Sequence, residues 1–322
     1  MKTKTLVLFK SPLGAPVKVI KQTFTAFKGR PVKRVSFVAG LHGDELEGLV
    51  LCHRLIQALR QLKQTQPEAF LGDIHIYPAA NPSAVNSATR LWPFYSEDMN
   101  RTFGPGSGDS VPVQVSRALF EDLKAHSDLA VDIHSSNKHL LELPQIRIIE
   151  NFAGTLVPLA EQTCADLIWV HPMAGLFEST LGYNLNLAKI PTLVIETGIC
   201  LRIHPEFGDQ LFHGMMHWLN HIGVLAIRNT PAKYIKAPRI IYPNQVALAM
   251  ARQSGLFVGQ ARLGSQVKQG DPLGQMLNPM TGDVLEEVVS PGTGLLFTLR
   301  QLPLVYAGGL LARVALDREP EP

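Results

Sequence analysis

Apolar, β-prone runs alternate with segments of helical spacing through the first two-thirds of the chain. Short runs of branched and aromatic residues are typical of buried strands, and apolar residues three and four apart predict amphipathic helices. The alternation predicts an α/β fold with a mostly parallel or mixed sheet covered by helices on both faces. The predicted strands are residues 35–40, 73–80, 129–134, 167–170 and 192–196, and the predicted helices are residues 45–62, 111–126, 156–164 and 206–221.

The pattern changes at about residue 230, where the helical spacing stops. From there, short β-prone runs are separated by Gly and Pro at the spacing typical of a small barrel or sandwich. We therefore expect an α/β domain over residues 1–230 and an all-β domain over residues 231–322, joined by a linker at residues 229–239. The turn at residues 278–283 lacks the lysine of a biotinyl or lipoyl carrier, so we expect a role in packing, in oligomerisation or as a lid.

The composition is that of a folded protein with a sizeable core. Of its 322 residues, 46% are hydrophobic and 18% are charged, which argues against disorder. The net charge of +3 is spread along the chain, and no Lys/Arg cluster resembles a nucleic-acid-binding surface. We therefore expect no nucleic-acid partner. The charge says little else about partners, and a small-molecule substrate and assembly into a homo-oligomer are compatible with the sequence.

The location in the cell follows from apolar segments and cysteines. No apolar stretch approaches the length of a membrane span, so we expect no membrane partner, and the first residues lack the features of a signal peptide. Cys52, Cys164 and Cys200 are odd in number and widely spaced. They are therefore expected to be reduced thiols in a cytoplasmic protein.

A histidine and a glutamate follow the strand predicted at residues 35–40. His42 and Glu45 are three residues apart in a strand-to-helix turn, with Gly40 and Gly43 to permit a tight backbone. Ligands collect at the carboxyl ends of strands in open α/β sheets, and imidazole and carboxylate are normal zinc ligands. The pair is a candidate metal site, although a histidine and a glutamate at this spacing are common in other settings.

A second histidine ends the strand predicted at residues 129–134. His134 therefore also lies at a carboxyl-terminal strand end, and Asp132 precedes it as a candidate to orient a ligand. Two nearby ligands and one distant histidine are typical of a catalytic zinc site, which keeps one coordination position open. A hydrogen-bonded core histidine is the alternative.

A glutamate ends the last strand of the α/β region. Glu196 follows an apolar run and precedes Thr197 and Gly198. A carboxylate in a partly dry cleft can act as a general base toward a water molecule that a metal ion activates. A solvated glutamate at a strand end is the alternative.

A loop between two predicted elements carries two arginines. Arg90 and Arg101, with Asn100 beside the second, lie in a stretch that also contains several aromatic residues. The planar guanidinium suits a carboxylate or a developing oxyanion. The alternative is a surface loop with ordinary arginines.

Together these motifs resemble the succinylglutamate desuccinylase/aspartoacylase family, distant relatives of the zinc carboxypeptidases. The resemblance rests on H-G-D-E, N-P, an arginine, N-R-x-F, D-I-H-S and a late E-T-G, in this order. It extends over the whole chain, because bacterial members often end in a small β-barrel. It implies a zinc-carboxypeptidase-like fold and one Zn²⁺ per chain, held by His42, Glu45 and His134.

The resemblance also implies roles for four other residues. Glu196 would be the general base that activates the attacking water and then protonates the leaving amine. Arg90 would polarise the scissile carbonyl, and Asn100 and Arg101 would bind a substrate carboxylate. The spacer between Arg90 and Asn100 is longer and more aromatic than is expected of aspartoacylase, which argues against the same substrate.

Other functions and sites stay open at this stage. The leading hypothesis is hydrolysis of an N-acyl amino acid or a similar small amide; a metallocarboxypeptidase or a non-catalytic binding protein are the alternatives. His213, His217 and His221 share one predicted helix face, but that helix lacks the glutamate of a catalytic H-E-x-x-H motif. Cys200 is a minor candidate nucleophile without a specific partner in the sequence.

Overall fold

The protein is described here by a computed structural model. The structure describes residues 1–11, 13–106, 108–228 and 236–317. The predicted domain boundary at residues 230/231 lies outside these ranges, as does most of the predicted linker. The division into two domains therefore stays a prediction.

Six α-helices lie in the described part of the chain. Those predicted from apolar spacing are present, with ends shifted by a few residues, whereas the short α2 and α5 were not predicted. Their bounds are α1 (Glu47–Thr65), α2 (Pro82–Ser87), α3 (Val111–His126), α4 (Ala153–Ala160), α5 (Leu181–Leu187) and α6 (Pro205–His221). No helix among the described residues is long and apolar enough to cross a membrane.

The strands of the α/β region include all five predicted ones and three others. The N-terminal hairpin β1–β2 and the long strand β6 were not predicted. The bounds are β1 (Lys2–Lys10), β2 (Pro16–Phe24), β3 (Arg34–Ala39), β4 (Asp73–Tyr77), β5 (Leu129–Ser135), β6 (Leu140–Ile149), β7 (Leu167–His171) and β8 (Thr192–Gly198).

The described part of the C-terminal region contains strands and no α-helix, as predicted. The bounds are β9 (Arg239–Ile241), β10 (Val246–Met250), β11 (Gly255–Gly259), β12 (Gln266–Val267), β13 (Pro272–Leu277), β14 (Val284–Val289), β15 (Gly294–Arg300), β16 (Leu304–Val305) and β17 (Leu310–Leu316). Strands β14, β13, β11 and β16 form a separate antiparallel sheet.

The main sheet is mixed and runs through both regions. Its strand order is β1-β2-β4-β3-β5-β8-β6-β15-β17-β10. Strands β4, β3, β5 and β8 are parallel to one another, whereas β2 and β6 are antiparallel to their neighbours β4 and β8. The predicted mixed sheet is therefore confirmed. The C-terminal strands β15, β17 and β10 extend this sheet through the pairing of β6 with β15, which the local turn pattern could not reveal.

Helices cover both faces of the sheet, as expected. On one face, α1 and α6 bury apolar side chains such as Leu55 and Trp218, and the Trp218 ring packs edge-on against Phe37 of β3. On the other face, α3 and α5 contribute Leu119 and Leu185 to a second cluster. Burial of these faces holds the parallel strands in register, so their carboxyl ends lie side by side.

Candidate metal centre and active site

Three neighbouring parallel strands end at one edge of the sheet. Strand β5 lies between β3 and β8, with Ala39 of β3 opposite Ile133 and with His134 opposite Glu196 of β8. The loop after β3 begins at Gly40, two residues before His42. The topology therefore brings together side chains that are more than 150 residues apart in the sequence.

His42, Glu45 and His134, called the ligand set below, converge on one point. Nδ1 of His42 lies 2.7 Å from Oε1 of Glu45, and Nδ1 of His134 lies 2.8 Å from Oε2. All three side chains are buried, and one ligand atom from each lies within 4.8 Å of the others. The predicted metal ligands are thus adjacent, in a set of two imidazoles and one carboxylate that suits zinc.

A carboxylate lies at the far nitrogen of each imidazole. Nε2 of His42 is 2.8 Å from Oδ1 of Asp98, and Nε2 of His134 is 3.1 Å from Oδ2 of Asp132. Metal-binding histidines usually donate their second N–H to such an acceptor, which leaves the other nitrogen free to bind the ion. The surroundings of the ligand set therefore fit a metal ion.

The charges at the ligand set favour a cation. Burial raises the pKa of Glu45, but the two imidazoles outweigh it and hold that pKa well below its usual range. Burial lowers the pKa of His134, but Asp132 and Glu45 outweigh it and raise that pKa well above its usual value. The carboxylates thus draw positive charge to the point where the two Nδ1 atoms and Glu45 meet. A divalent ion would supply that charge in place of protons.

Asp98 should contribute to metal affinity without being a ligand. Replacing it with asparagine removes the negative charge that orients His42, so we expect zinc affinity to fall by roughly 10–100-fold. Competition with a chromophoric chelator measures this affinity. The matched control is Asp109→Asn, a substitution at an exposed carboxylate. Equal zinc affinity of the two variants would show that Asp98 does not support the site.

Gly43 allows the loop after β3 to pass directly against α2. Its N–H donates to the carbonyl of Thr89 at 2.9 Å. A Cβ atom at position 43 would overlap the carbonyl group of Ala84 in α2. Gly43 is thus a point of close backbone approach rather than of unusual backbone angles.

Gly43→Ala should therefore destabilise the metal-free fold. Overpacking at a closely packed position costs about 1–3 kcal/mol, and here the backbone itself must shift. Urea unfolding measures the loss. Gly154→Ala is the control, because a Cβ atom there would meet nothing within 4 Å. If both variants unfold at the same urea concentration, the close approach does not limit stability.

Glu196 lies in the same cavity and contacts an arginine that sequence reasoning missed. Nη1 of Arg147 in β6 lies 3.5 Å from Oε1 of Glu196. Burial raises the pKa of Glu196 to about 7, against the lowering effect of Arg147 and His134. A carboxyl group with a pKa near neutrality is suited to accepting and returning a proton.

The two predicted arginines and the asparagine also line this cavity. Arg90 contacts Oε1 of Glu45 at 3.3 Å and Oδ2 of Asp98 at 3.1 Å. Asn100 is buried, and its side-chain oxygen accepts the N–H of Leu181 at 2.9 Å. Arg101 is exposed, and its guanidinium donates to the carbonyl of Asn100. Arg101 is thus accessible to a ligand, whereas Arg90 is already paired with two carboxylates.

The cavity has a volume of about 460 Å³, and its lining is both polar and apolar. The ligand set, Glu196 and the arginines are the polar lining residues named above. The apolar lining residues include Ile149, Phe152, Leu156, Phe177 and Tyr183. Sequence reasoning missed these, because they come from β6 and from segments on either side of β7. A cavity of this size and composition suits a small molecule.

The rival sites from the sequence gain no support. Among the described residues, the groups of three or more possible metal ligands are the ligand set and an adjacent group of Asp44, Glu45 and Cys200. The histidine row on α6 is not one of them. Burial raises the pKa of the Cys200 thiol above its usual range, and the thiol donates to the carbonyl of Ser136. A buried thiol of this kind is a poor nucleophile.

A family profile shows to which protein family the chain belongs. The profile of the succinylglutamate desuccinylase/aspartoacylase catalytic domain matches residues 31–222, more than half of the chain. The chain belongs to the succinylglutamate desuccinylase/aspartoacylase family. The relationship predicted from the motifs is confirmed, and the matched region contains the ligand set, both arginines and Glu196.

Two curated relatives of this family member are enzymes by name. The chain is 25% identical to an N-acyl-aromatic-L-amino acid amidohydrolase (carboxylate-forming) from Xenopus laevis, over 54% of this chain and 61% of that protein. It is 32% identical to an N-alpha-acetyl-L-2,4-diaminobutyric acid deacetylase from Halomonas elongata, over 33% of this chain and 29% of that protein. The chain therefore spans less than two-thirds of the length of each relative. Both names describe hydrolysis of an N-acyl amino acid.

The family fold extends into the C-terminal region. A succinylglutamate desuccinylase/aspartoacylase structure from Rhodobacter sphaeroides superposes with a TM-score of 0.77 at 22% identity. The superposition covers 95% of this chain and 91% of that one. The likeness shows that the C-terminal strands belong to the shared fold.

Proposed function

We propose that this family member is a zinc-dependent hydrolase that cleaves the amide bond of an N-acyl amino acid or a similar small amide with a carboxylate. One observation carries the proposal: the ligand set and Glu196 face one cavity of small-molecule size. The names of the two curated relatives support the same reaction type.

His42, Glu45 and His134 would hold the zinc ion. When bound, zinc supplies a Lewis acid that polarises a carbonyl group and lowers the pKa of water. All three residues line the cavity, so an ion held there would be accessible to a substrate, as a catalytic site requires. We propose a small molecule as the substrate. The proposed location is the cytoplasm.

The side chains around the metal would move the proton and bind the substrate. Glu196 takes a proton from the attacking water and delivers it to the leaving amine, for which a pKa near neutrality is suited. Arg101 binds the substrate carboxylate from its exposed position, next to Asn100. Arg90 would leave its pairing with Glu45 and Asp98 in part to stabilise the oxyanion.

A substrate panel tests the proposal. Zinc-loaded protein is incubated with N-acetyl and N-succinyl derivatives of several amino acids, and the free amine is measured. Each substrate is paired with its carboxamide analogue, which lacks the charge that Arg101 would bind. We expect amine release, with a KM at least about tenfold higher for the carboxamides, because a charge-assisted hydrogen bond is lost.

The same panel tests the two alternative functions, a metallocarboxypeptidase and a non-catalytic binding protein. Dipeptides with a free amino terminus are included, because a metallocarboxypeptidase would prefer them over N-acyl amino acids. Absence of amine release from every member of the panel would overturn the proposal in favour of a binding protein on the same fold.

A further inference from the structure

Charged side chains connect the C-terminal region to the proposed general base. Arg313 of β17 donates to Oε1 of Glu142 at 2.7 Å, and Arg147 donates to Oε2 of Glu142 at 2.6 Å. The other terminal nitrogen of Arg147 lies 3.5 Å from Glu196. Four side chains of the cavity wall are thus linked, each to the next. They are Arg313, Glu142, Arg147 and Glu196, and they are called the ion-pair chain below.

The continuous sheet explains this arrangement. Glu142 of β6 is opposite Gly198 of β8 on one side and opposite Thr298 of β15 on the other. Thr298 is in turn opposite Arg313 of β17. Residues directly opposite in a sheet point to the same face, so Arg313 and Glu142 meet across the intervening strand. The pairing of β6 with β15 is what brings a C-terminal side chain to the active-site wall.

Glu142 is the buried member of the ion-pair chain. The Glu142 side chain is 1% exposed and also accepts a hydrogen bond from Gln145 at 2.7 Å. Each guanidinium lies over the ring of Trp169, with Cζ 5.5 Å from the ring centroid for Arg147 and 5.3 Å for Arg313. A buried carboxylate needs its partners, because an uncompensated charge in the interior is costly. Glu142 is therefore held from both sides.

The planar guanidinium of Arg147 links the position of Glu142 to that of Glu196. When one edge of the Arg147 guanidinium is fixed on Glu142, the direction of its other edge is fixed as well. Without Arg313, Glu142 would have Arg147 as its only cationic partner and would draw it away from Glu196. Arg313 thus shares the Glu142 charge and leaves Arg147 free to contact Glu196.

We propose that Arg313 is a positioning residue. Through Glu142 and Arg147, it lets the C-terminal region hold Glu196 in its working position. The inference rests on the proposed role of Glu196 as general base. It assigns the C-terminal region a part in catalysis, beyond packing: the active site is incomplete without β17.

Arg313→Met is the decisive variant, with Arg313→Lys as the conservative one. A misplacement of about 1 Å can cost as much as 100-fold in rate, so we expect kcat to fall by roughly 10–100-fold in Arg313→Met. KM and zinc content should stay unchanged, and Arg313→Lys should recover part of kcat. Arg262→Met, at an exposed arginine of the same region, is the control and should match the parent.

An unchanged kcat in Arg313→Met would overturn the inference. If KM rises at that constant kcat, Arg313 is a substrate-binding residue instead. A crystal structure of Arg313→Met is a second readout that does not depend on activity. It should show Arg147 withdrawn from Glu196, and unmoved side chains would contradict the inference even if no substrate is found. Failure of the proposed function would instead appear as an inactive parent or a fully active Glu196→Gln variant.

Discussion

Glu196→Gln is expected to retain zinc and lose nearly all turnover. Glutamine has the same shape but cannot accept the proton of the attacking water, and general-base catalysis is worth roughly 10²–10⁴-fold. Glu196 is outside the ligand set, so the metal site itself should be unchanged. Amine release from the best N-acyl amino acid gives kcat, and elemental analysis gives zinc content.

The control for Glu196→Gln is a variant with the same chemical change away from the cavity. Glu161→Gln replaces an exposed carboxylate on the protein surface and should behave like the parent. If Glu196→Gln keeps a kcat within about tenfold of the parent, the proton is accepted by another group. If zinc is lost together with turnover, Glu196 belongs to the metal site rather than to proton transfer.

His134→Ala should abolish metal binding and activity together. His134 supplies one of three proposed ligands, and its loss leaves Glu45 without one of the imidazoles that hold its charge. We expect zinc affinity to fall by more than the roughly 10–100-fold typical of losing an outer carboxylate. Isothermal titration of metal-free protein with zinc measures the affinity.

The control for this variant also tests the rival site. His221→Ala changes an exposed histidine at the end of α6, in the row of histidines noted in the sequence. It should leave zinc affinity unchanged. Retained tight zinc binding in His134→Ala, with loss in His221→Ala, would move the metal to the helix and contradict the proposed ligand set.

The sequence was informative about the fold where the pattern is local. Helix α3 has the bounds that its apolar spacing predicts, because both ends of the amphipathic pattern are sharp. Strand β6 was missed, since charged residues at 142 and 147 interrupt its apolar run. Both of these charged side chains line the active-site cavity, which explains why they interrupt the apolar run. The extension of the sheet from β6 to β15 depends on pairing between distant segments, which no local pattern encodes.

The same distinction applies to the candidate site. The ligand set could be predicted because each member follows a recognisable strand and belongs to a motif. Asp98 could have been suspected from its place two residues before the N-R-x-F motif. Arg313 could be suspected only as a lone charge in the apolar strand β17, because its partner Glu142 is 171 residues away.

The ion-pair chain changes the interpretation of the C-terminal region. The expectations from its turn-rich sequence were packing, oligomerisation or a lid over the cavity. Strands β15, β17 and β10 of this region continue the main sheet, and Arg313 lies in the wall of the cavity. A truncated chain that ends before β15 is therefore a poor test of the proposed chemistry, because it lacks part of that wall.

The most direct test of the central claim is a zinc titration of activity. Metal-depleted protein receives increasing amounts of zinc, and hydrolysis of an N-acyl amino acid is followed at each step. The proposed site predicts no turnover without metal, a linear rise, and a plateau at one zinc ion per chain. Undiminished turnover in the metal-depleted protein, with no response to added zinc, would contradict a catalytic metal held by His42, Glu45 and His134.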